Sequence, residues 1–349
     1  MSITLVPMAA VTVLADGYRA RPATIDDAAV LRELMAAQGR VSIGTDDRTL
    51  DEVVSVLTGP RVDLALDGLV VFDPDDLVVA WGCAFDEAPE RGYLEVYVHP
   101  DLPEPEFVVI TATLLDHGRR RLESVARTRG RASIQLSVGA YRGERLQPRL
   151  AAAGFHHERV YLRMSVDLAA PDQYPTSPPA GVRIGSLDPS TDRGMRVAQE
   201  LRNEVMKDHH GHLPVSLDAF RVRWFSTPGF DPTAWWFAEL DGKPVGIALG
   251  DDSRRDDDAG FVRTLGVVES ARGRGIARAL LLVAFAEYAR RGRSRVMLVV
   301  DSANETGATQ LYESVGMRPV VTYDTWSLTL TLSCEGAAAT RSRNASTSA

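Results

Sequence analysis

The stretch Phe261-Val262-Arg263-Thr264-Leu265-Gly266-Val267-Val268, followed by Arg272-Gly273-Arg274-Gly275-Ile276-Ala277-Arg278, decides how this 349-residue chain is read. The first segment has the apolar, β-branched character of a strand, and the second opens a helical pattern that runs from Gly275 to Arg291. Backbone N–H groups at a helix start have no intrahelical partner, and the helix dipole there favours negative charge. Two glycines in the turn leave those amides uncovered and accept the left-handed backbone that an anion nest uses, while Arg272 and Arg274 add positive charge. A diphosphate fits such a place better than the alternative, an arginine-rich surface turn. A P-loop is excluded because no Gly-Lys-Ser/Thr follows, and the G-x-G-x-x-G begun by Gly273 and Gly275 fails at Arg278.

Working outward, the second half reads as strand Val182-Arg183-Ile184, helix Asp192 to Met206, then a hairpin of Trp235 to Leu240 and Pro244 to Leu249 turning on Asp241-Gly242. After the strand and helix above come a strand over Arg295 to Val300, a helix from about Thr306 to Val315 and a last strand near Thr325 to Leu330. The first half has the same order: Tyr18 to Pro22, helix Asp26 to Ala37, strand Tyr93 to Val98, helix Glu106 to Val125, strand Ala132 to Val138, helix Glu144 to Ala153 and strand Arg159 to Val166. Gly154-Phe155 answers Gly316-Met317 at the end of the corresponding helix. This internal repeat predicts an α/β protein with mixed sheets, built as two tandem copies of one domain. The expected boundaries are 1–170 for the first copy, a Pro/Ser/Ala-rich linker over 171–181, 182–332 for the second copy and a disordered tail over 333–349.

With 45% apolar and 25% charged residues the chain has the composition of globular domains, long enough for two cores. A net charge of -8 is the wrong sign for a nucleic-acid footprint. Two cysteines, Cys83 and Cys334, build neither a disulfide framework nor a zinc site, and no apolar run approaches membrane-spanning length. The expectation is a cytoplasmic protein of small-molecule chemistry, with no metal, membrane or nucleic-acid partner. The oligomeric state is not legible.

On these residues the second half resembles the GCN5-related N-acetyltransferase (GNAT) superfamily. The family's strand ending in valine, then Arg/Gln-x-x-Gly-x-Gly/Ala, is matched by Leu265-Gly266-Val267 and Arg272-x-x-Gly275-x-Ala277. Its Asn-x-x-Ala-x-x-x-Tyr-x-x-x-Gly-Phe stretch is approached by Asn304, Ala308, Tyr312, Gly316 and Met317, and Glu269 stands where the family often has proline. The resemblance implies acetyl-CoA as co-substrate, bound through Leu265, Gly266, Val267, Arg272 to Arg278 and Asn304, with its pantetheine arm between the strands Phe261–Val268 and Arg295–Val300. It further implies direct attack by a neutral amine, with Tyr312 as the acid that serves the departing thiolate. Asn304 would bond the cofactor arm or cap the next helix.

No single base emerges; Glu239, Asp251 and Asp252 are candidates, and the Asp208-His209-His210-Gly211-His212 loop falls where the resemblance implies the acceptor wall, its histidines expected to be exposed rather than metal-ligating. Trp224, Phe225, Trp235 and Trp236 could serve an acceptor pocket or the core. In the first half the glycine loop is replaced by Val98-His99-Pro100-Asp101-Leu102-Pro103-Glu104-Pro105-Glu106, whose prolines remove amide donors and whose carboxylates repel a diphosphate, and Leu150 stands where the second half has Tyr312. The first copy is therefore expected to be degenerate. Tandem members of the superfamily include the mycothiol synthases, in which a glutamate early in the cofactor strand is the base; Phe261 holds that place here. The expected acceptor is a primary amine on a small metabolite, with the mycothiol precursor as runner-up. A non-catalytic acyl-CoA sensor and a protein lysine acetyltransferase are the other readings.

Overall fold

A computed structural model of the chain describes residues 14–332 apart from 47, 60, 89, 208, 210, 211, 228, 305 and 306. The expected tail over 333–349, with Cys334, lies outside the described residues, as does most of the N-terminal segment. Two compact units are present: residues 1–158 together with 324–349, and residues 159–323.

The first unit contains β1 (Arg19–Pro22), α1 (Ala28–Ile43), α2 (Leu50–Leu57), α3 (Leu64–Asp67), β2 (Gly68–Phe72), β3 (Val78–Ala88), β4 (Arg91–Val98), α4 (Glu104–Thr128), β5 (Ser133–Tyr141) and α5 (Leu146–Ala152). Its strands run in the order β1-β2-β3-β4-β5, continued by the end of the chain. Alternation along the strands divides the apolar side chains between two faces. Val71, Ala80 and Ala84 face α4, whose Phe107, Ile110 and Leu114 are buried on them. Val70, Phe72, Trp81 and Cys83 face α1 and α2.

The second unit takes most of β6 (His156–Asp167), then β7 (Val182–Ser186), α6 (Asp192–Met206), α7 (Leu217–Phe225), β8 (Trp235–Leu240), β9 (Lys243–Asp251), β10 (Ala259–Val267), α8 (Ile276–Arg290), β11 (Arg295–Asp301), α9 (Ala308–Ser314) and the start of β12 (Arg318–Thr331). Its strand order is β6-β11-β10-β9-β8-β7. Trp235, Ile247 and Leu249 are buried under α6 and α7. Their neighbours Trp236 and Ala248 face α8, with Leu280 and Phe285. Each unit is thus a mixed sheet between helices, and the α/β expectation holds. The hairpin turn is as expected, with Asp241 and Gly242 at φ 52° and 75°.

Helix α8 is seated by Tyr288. Its hydroxyl shares its one proton between the carbonyls of Asp251 (3.0 Å) and Phe261 (3.2 Å), on the two strands flanking its ring. Gly260 permits this approach, since a Cβ there would lie 2.3 Å from ring carbons.

The boundaries differ from the sequence expectation. The Pro-rich segment over 171–181 lies inside the second unit, where Tyr174 packs edge-on against Phe285 of α8. The physical reason is pairing: β6 is antiparallel to β11 over seven residue pairs from Tyr161↔Asp301 to Asp167↔Arg295, which ties the strand before that segment to the strands of the second unit. The chain end goes the other way. Asp324 accepts from Arg142 Nη2 (2.6 Å) and Gln147 Nε2 (2.8 Å) and bonds His157 Nε2 (3.0 Å), all within the first unit.

Candidate active site

Two strands that run parallel and then part define the site. β10 pairs with β11 only from Ala259↔Arg295 to Val262↔Leu298, and at that point β10 shifts register against β9 between Val262 and Thr264. Beyond it Leu265, Gly266 and Val267 pair on the β9 side alone. The matching strands of the first unit part after the same length, from Arg91↔Gln135 to Leu94↔Val138.

At the far end of β10 the turn has the conformation its glycines foretell. Gly273 and Gly275 take φ values of 76° and 75°, and Gly275 is the N-cap of α8 without any capping side chain. A Cβ at Gly273 would meet no protein atom within 4 Å, and one at Gly275 only Pro179 at 3.8 Å. The glycines therefore leave open space over the first-turn amides of Ile276, Ala277 and Arg278 rather than relieving contact with the rest of the chain. Arg272 turns inward, its Nε donating to the Val267 carbonyl at 3.2 Å. Arg274 and Arg278 are exposed, and no carboxylate among the described residues holds either of them. A cradle of bare amides with two available guanidinium groups suits a diphosphate.

Tyr312 is 7% exposed and lies in the same apolar cluster as Ile276, Ala277, Leu265 and Val300. Burial pushes its phenol up to about 12, so the proton stays on the oxygen through the physiological range. Asn304 sits in the turn after β11, its N–H bonded to the Asp301 carbonyl at 3.1 Å.

The first unit repeats the scaffold around different chemistry. Phe155 N–H bonds the Leu150 carbonyl and Met317 N–H the Tyr312 carbonyl, both at 3.0 Å, with Gly154 and Gly316 both at φ 87°. Leu150, fully buried, thus stands where the second unit has its phenol. Helix α4 begins Pro103-Glu104-Pro105, and Arg145 fills the space before it, donating to the carbonyls of Pro100 (2.7 Å) and Leu102 (2.9 Å), pairing with Glu104 and lying 4.0 Å over the Phe107 ring. The protein's own guanidinium occupies that helix start.

A cavity of about 330 Å³ opens where β10 and β11 part, between α6 and α7. Its walls include Phe261, Thr264, Val299, Trp224, Arg202 and Arg223. Among the aromatic candidates Trp224 reaches it, Trp235 and Trp236 are core, and Phe225 is exposed. None of the candidate bases lines it. Glu239 is ion-paired with Arg183, Asp252 with Arg293 (3.1 Å), and Asp251 with Arg263. Burial raises the Asp251 carboxyl, against the opposing pull of Arg263. Of the histidine loop, Asp208, His210 and Gly211 lie outside the described residues, and no cluster of metal-ligating side chains occurs among the described ones.

Sequence reasoning missed α7, Arg145 and the arginines of the cavity. Helix α7 had a signal in Ser216, whose hydroxyl accepts the Ala219 N–H as an N-cap.

Residues 198–317 match the family model described as acetyltransferase (GNAT) family. The chain is 31% identical over 233 residues to a mycothiol acetyltransferase of Thermomonospora curvata, covering 65% of this chain and 76% of that protein. Among solved structures, a GCN5-related N-acetyltransferase from Sphaerobacter thermophilus superposes with a TM-score of 0.78 at 25% identity, over 92% of this chain and 98% of that one. A tandem GNAT protein from the clavulanic acid biosynthesis pathway does so at 0.65 and 18% identity, over 90% of this chain and 99% of that one, a likeness of fold.

Proposed function

Since this chain belongs to the acetyltransferase (GNAT) family, we propose that it moves an acetyl group from acetyl-CoA to a primary amine of a small molecule, in the unit formed by residues 159–323. The observation that carries this reading is the contrast between two equivalent helix starts. One keeps bare amides under left-handed Gly273 and Gly275; the other is filled by Arg145 and flanked by Glu104 and Glu106.

In this reading the amides of Ile276 to Arg278, with Arg272 to Gly275, hold the diphosphate of CoA. Leu265, Gly266 and Val267 line the gap where the strands part and align the arm along β10, with Asn304 at the opposite strand end. The bound acetyl thioester supplies an activated acyl carbon. The cavity beside Phe261 and Thr264 brings the acceptor nitrogen to that point, so that orientation does much of the work. Tyr312, neutral and buried, keeps a proton for the sulfur that leaves. The amine's own proton departs by water or a group of the acceptor, because Asp251, Asp252 and Glu239 are committed to arginines. The first unit serves as scaffold. A reducing cytoplasm suits such an enzyme.

The mycothiol precursor is the second reading, favoured by the named relative. Phe261 at the expected glutamate position weighs against it. Release of free thiol from acetyl-CoA, followed across a panel of amines with the precursor included, tests both. Tight CoA binding with no turnover on any amine, and no effect of Tyr312→Phe, would replace the enzyme reading with a sensor.

A further inference from the structure

The acceptor cavity of the second unit is lined by one arginine that no carboxylate among the described residues balances. Three arginines line it, Arg202, Arg223 and Arg263, and no carboxylate does. This is unexpected in a chain with 47 acidic and 39 basic residues. Arg263 is neutralised from behind by Asp251, and its Nη2 also donates to Ser253 Oγ at 3.1 Å. Other arginines of the unit find acids in the same way: Arg291 takes Asp231 and Glu287, Arg254 takes Asp257.

Arg202 is different. It is half-buried on α6, and no carboxylate among the described residues lies within ion-pair distance of it. Its Nη1 reaches only neutral groups, at long range: Asn203 Oδ1 at 3.3 Å, His212 Nδ1 and the Leu213 carbonyl at 3.4 Å. Burial and the neighbouring charge of Arg223 both act to lower its hold on a proton. A half-buried guanidinium with no carboxylate in reach is a cost to the free protein that an anion entering the cavity would remove. The wall behind it is fixed, since Asn203 exchanges two hydrogen bonds with Val215 (both 3.0 Å) and Gln199 Nε2 donates to the same carbonyl at 2.6 Å. The remaining lining is largely apolar, with Met206, Phe220, Trp224 and Phe261.

We propose that the acceptor amine carries an acidic group, a carboxylate or a phosphate on an otherwise apolar body, and that Arg202, assisted by Arg223, binds that group while the amine points to the gap between β10 and β11. The proposal rests on the acetyl-transfer reading above and narrows its substrate class. It also separates this chain from acceptors in which the carboxyl beside the amine is tied up as an amide.

The test uses the full chain with saturating acetyl-CoA and pairs of amines that differ only in the acid: L-leucine against L-leucinamide, L-phenylalanine against its amide, and phosphoethanolamine against ethanolamine. The amides have the less basic amines, so a preference for the acids cannot come from amine protonation. The expected result is a kcat/KM higher by about tenfold or more for the acid of at least one pair. Arg202→Met should erase that preference through KM and leave the Kd for CoA unchanged, and Arg202→Lys should restore part of it. Which pair responds distinguishes carboxylate from phosphate. Equal or better use of every neutral partner would overturn the proposal, as would a preference that survives Arg202→Met. If no amine is acetylated, the acetyl-transfer reading fails by itself. Equilibrium dialysis of the same pairs against CoA-loaded protein then decides the anion site: selective retention of an acid, lost in Arg202→Met, sustains it, and equal retention refutes it.

Discussion

Replacing Gly275 by valine separates what the loop does for the fold from what it does for a ligand. At φ 75° a β-branched side chain is held in left-handed backbone, which costs the fold about 1–2 kcal/mol. The first carbon of the new side chain meets no crowding, because the nearest protein atom to a Cβ at this position is Pro179 at 3.8 Å. The space it enters lies over the first-turn amides of α8. Loss of two charge-assisted hydrogen bonds there, each worth about 1.5–3 kcal/mol, weakens CoA binding by roughly 10²–10⁴-fold. Gly292, just beyond the other end of α8, is the control: it has φ 77° and nothing within 4 Å of its Cβ position. Gly292→Val should lower the melting temperature about as much as Gly275→Val and leave CoA affinity alone. Isothermal titration of CoA into the three proteins, with thermal melts alongside, measures both quantities. Wild-type affinity in Gly275→Val, or an equal loss in Gly292→Val, would refute the diphosphate site.

Tyr312→Phe should lower kcat by about 10²-fold with little change in KM or stability, read from steady-state thiol release. Because burial holds the phenol up to about 12, kcat should rise with amine deprotonation and show no alkaline decline below about pH 11; a descending limb near pH 8 would mean that another group is the acid. Asp324 has its carboxyl held at about 2; burial alone would raise it, and Arg142, His157 and Gln147 together outweigh that. A lowered folded value contributes stability that is complete above the ordinary carboxylate range and lost between about pH 4 and 2, so Asp324→Asn should destabilise by about 2 kcal/mol at pH 7 and flatten acid unfolding in that window, as urea melts would show. Gly260→Ala should cost several kcal/mol, about 2–4, by driving Tyr288 from its seat between Gly260 and Gly250, and Tyr288→Phe in that background should recover little because the ring, not the hydroxyl, is what collides.

The second half was legible where local physics suffices. The helix Asp192–Met206 lies where the sequence placed it, the hairpin was readable from Asp241-Gly242, and the start of α8 from two glycines that the backbone uses as expected. What escaped depends on distant partners. β6 and β12 are both plain extended runs, and which neighbours each takes is settled by contacts across more than a hundred residues, as between Arg142 and Asp324. The Pro-rich segment has linker composition, yet Tyr174 within it is anchored on Phe285. The cavity between α6 and α7 gathers Arg202, Arg223 and Arg263 from three separate elements, and nothing local along the chain brings them together. Arg145 closing the first unit's helix start could not be inferred from a loop 41 residues away at Glu104.

The central claim is that one unit of this chain transfers acetyl to a small amine and the other does not bind the donor. Incubation of the whole protein with isotopically labelled acetyl-CoA and an amine panel, with mass spectrometry of the products and a parallel titration of CoA, tests it directly. The account predicts one CoA bound per chain and a labelled N-acetyl amine whose yield, at acetyl-CoA held near the wild-type Kd, falls by about 10²-fold or more in Gly275→Val. Two CoA molecules per chain, or label transferred undiminished by that variant, would contradict it.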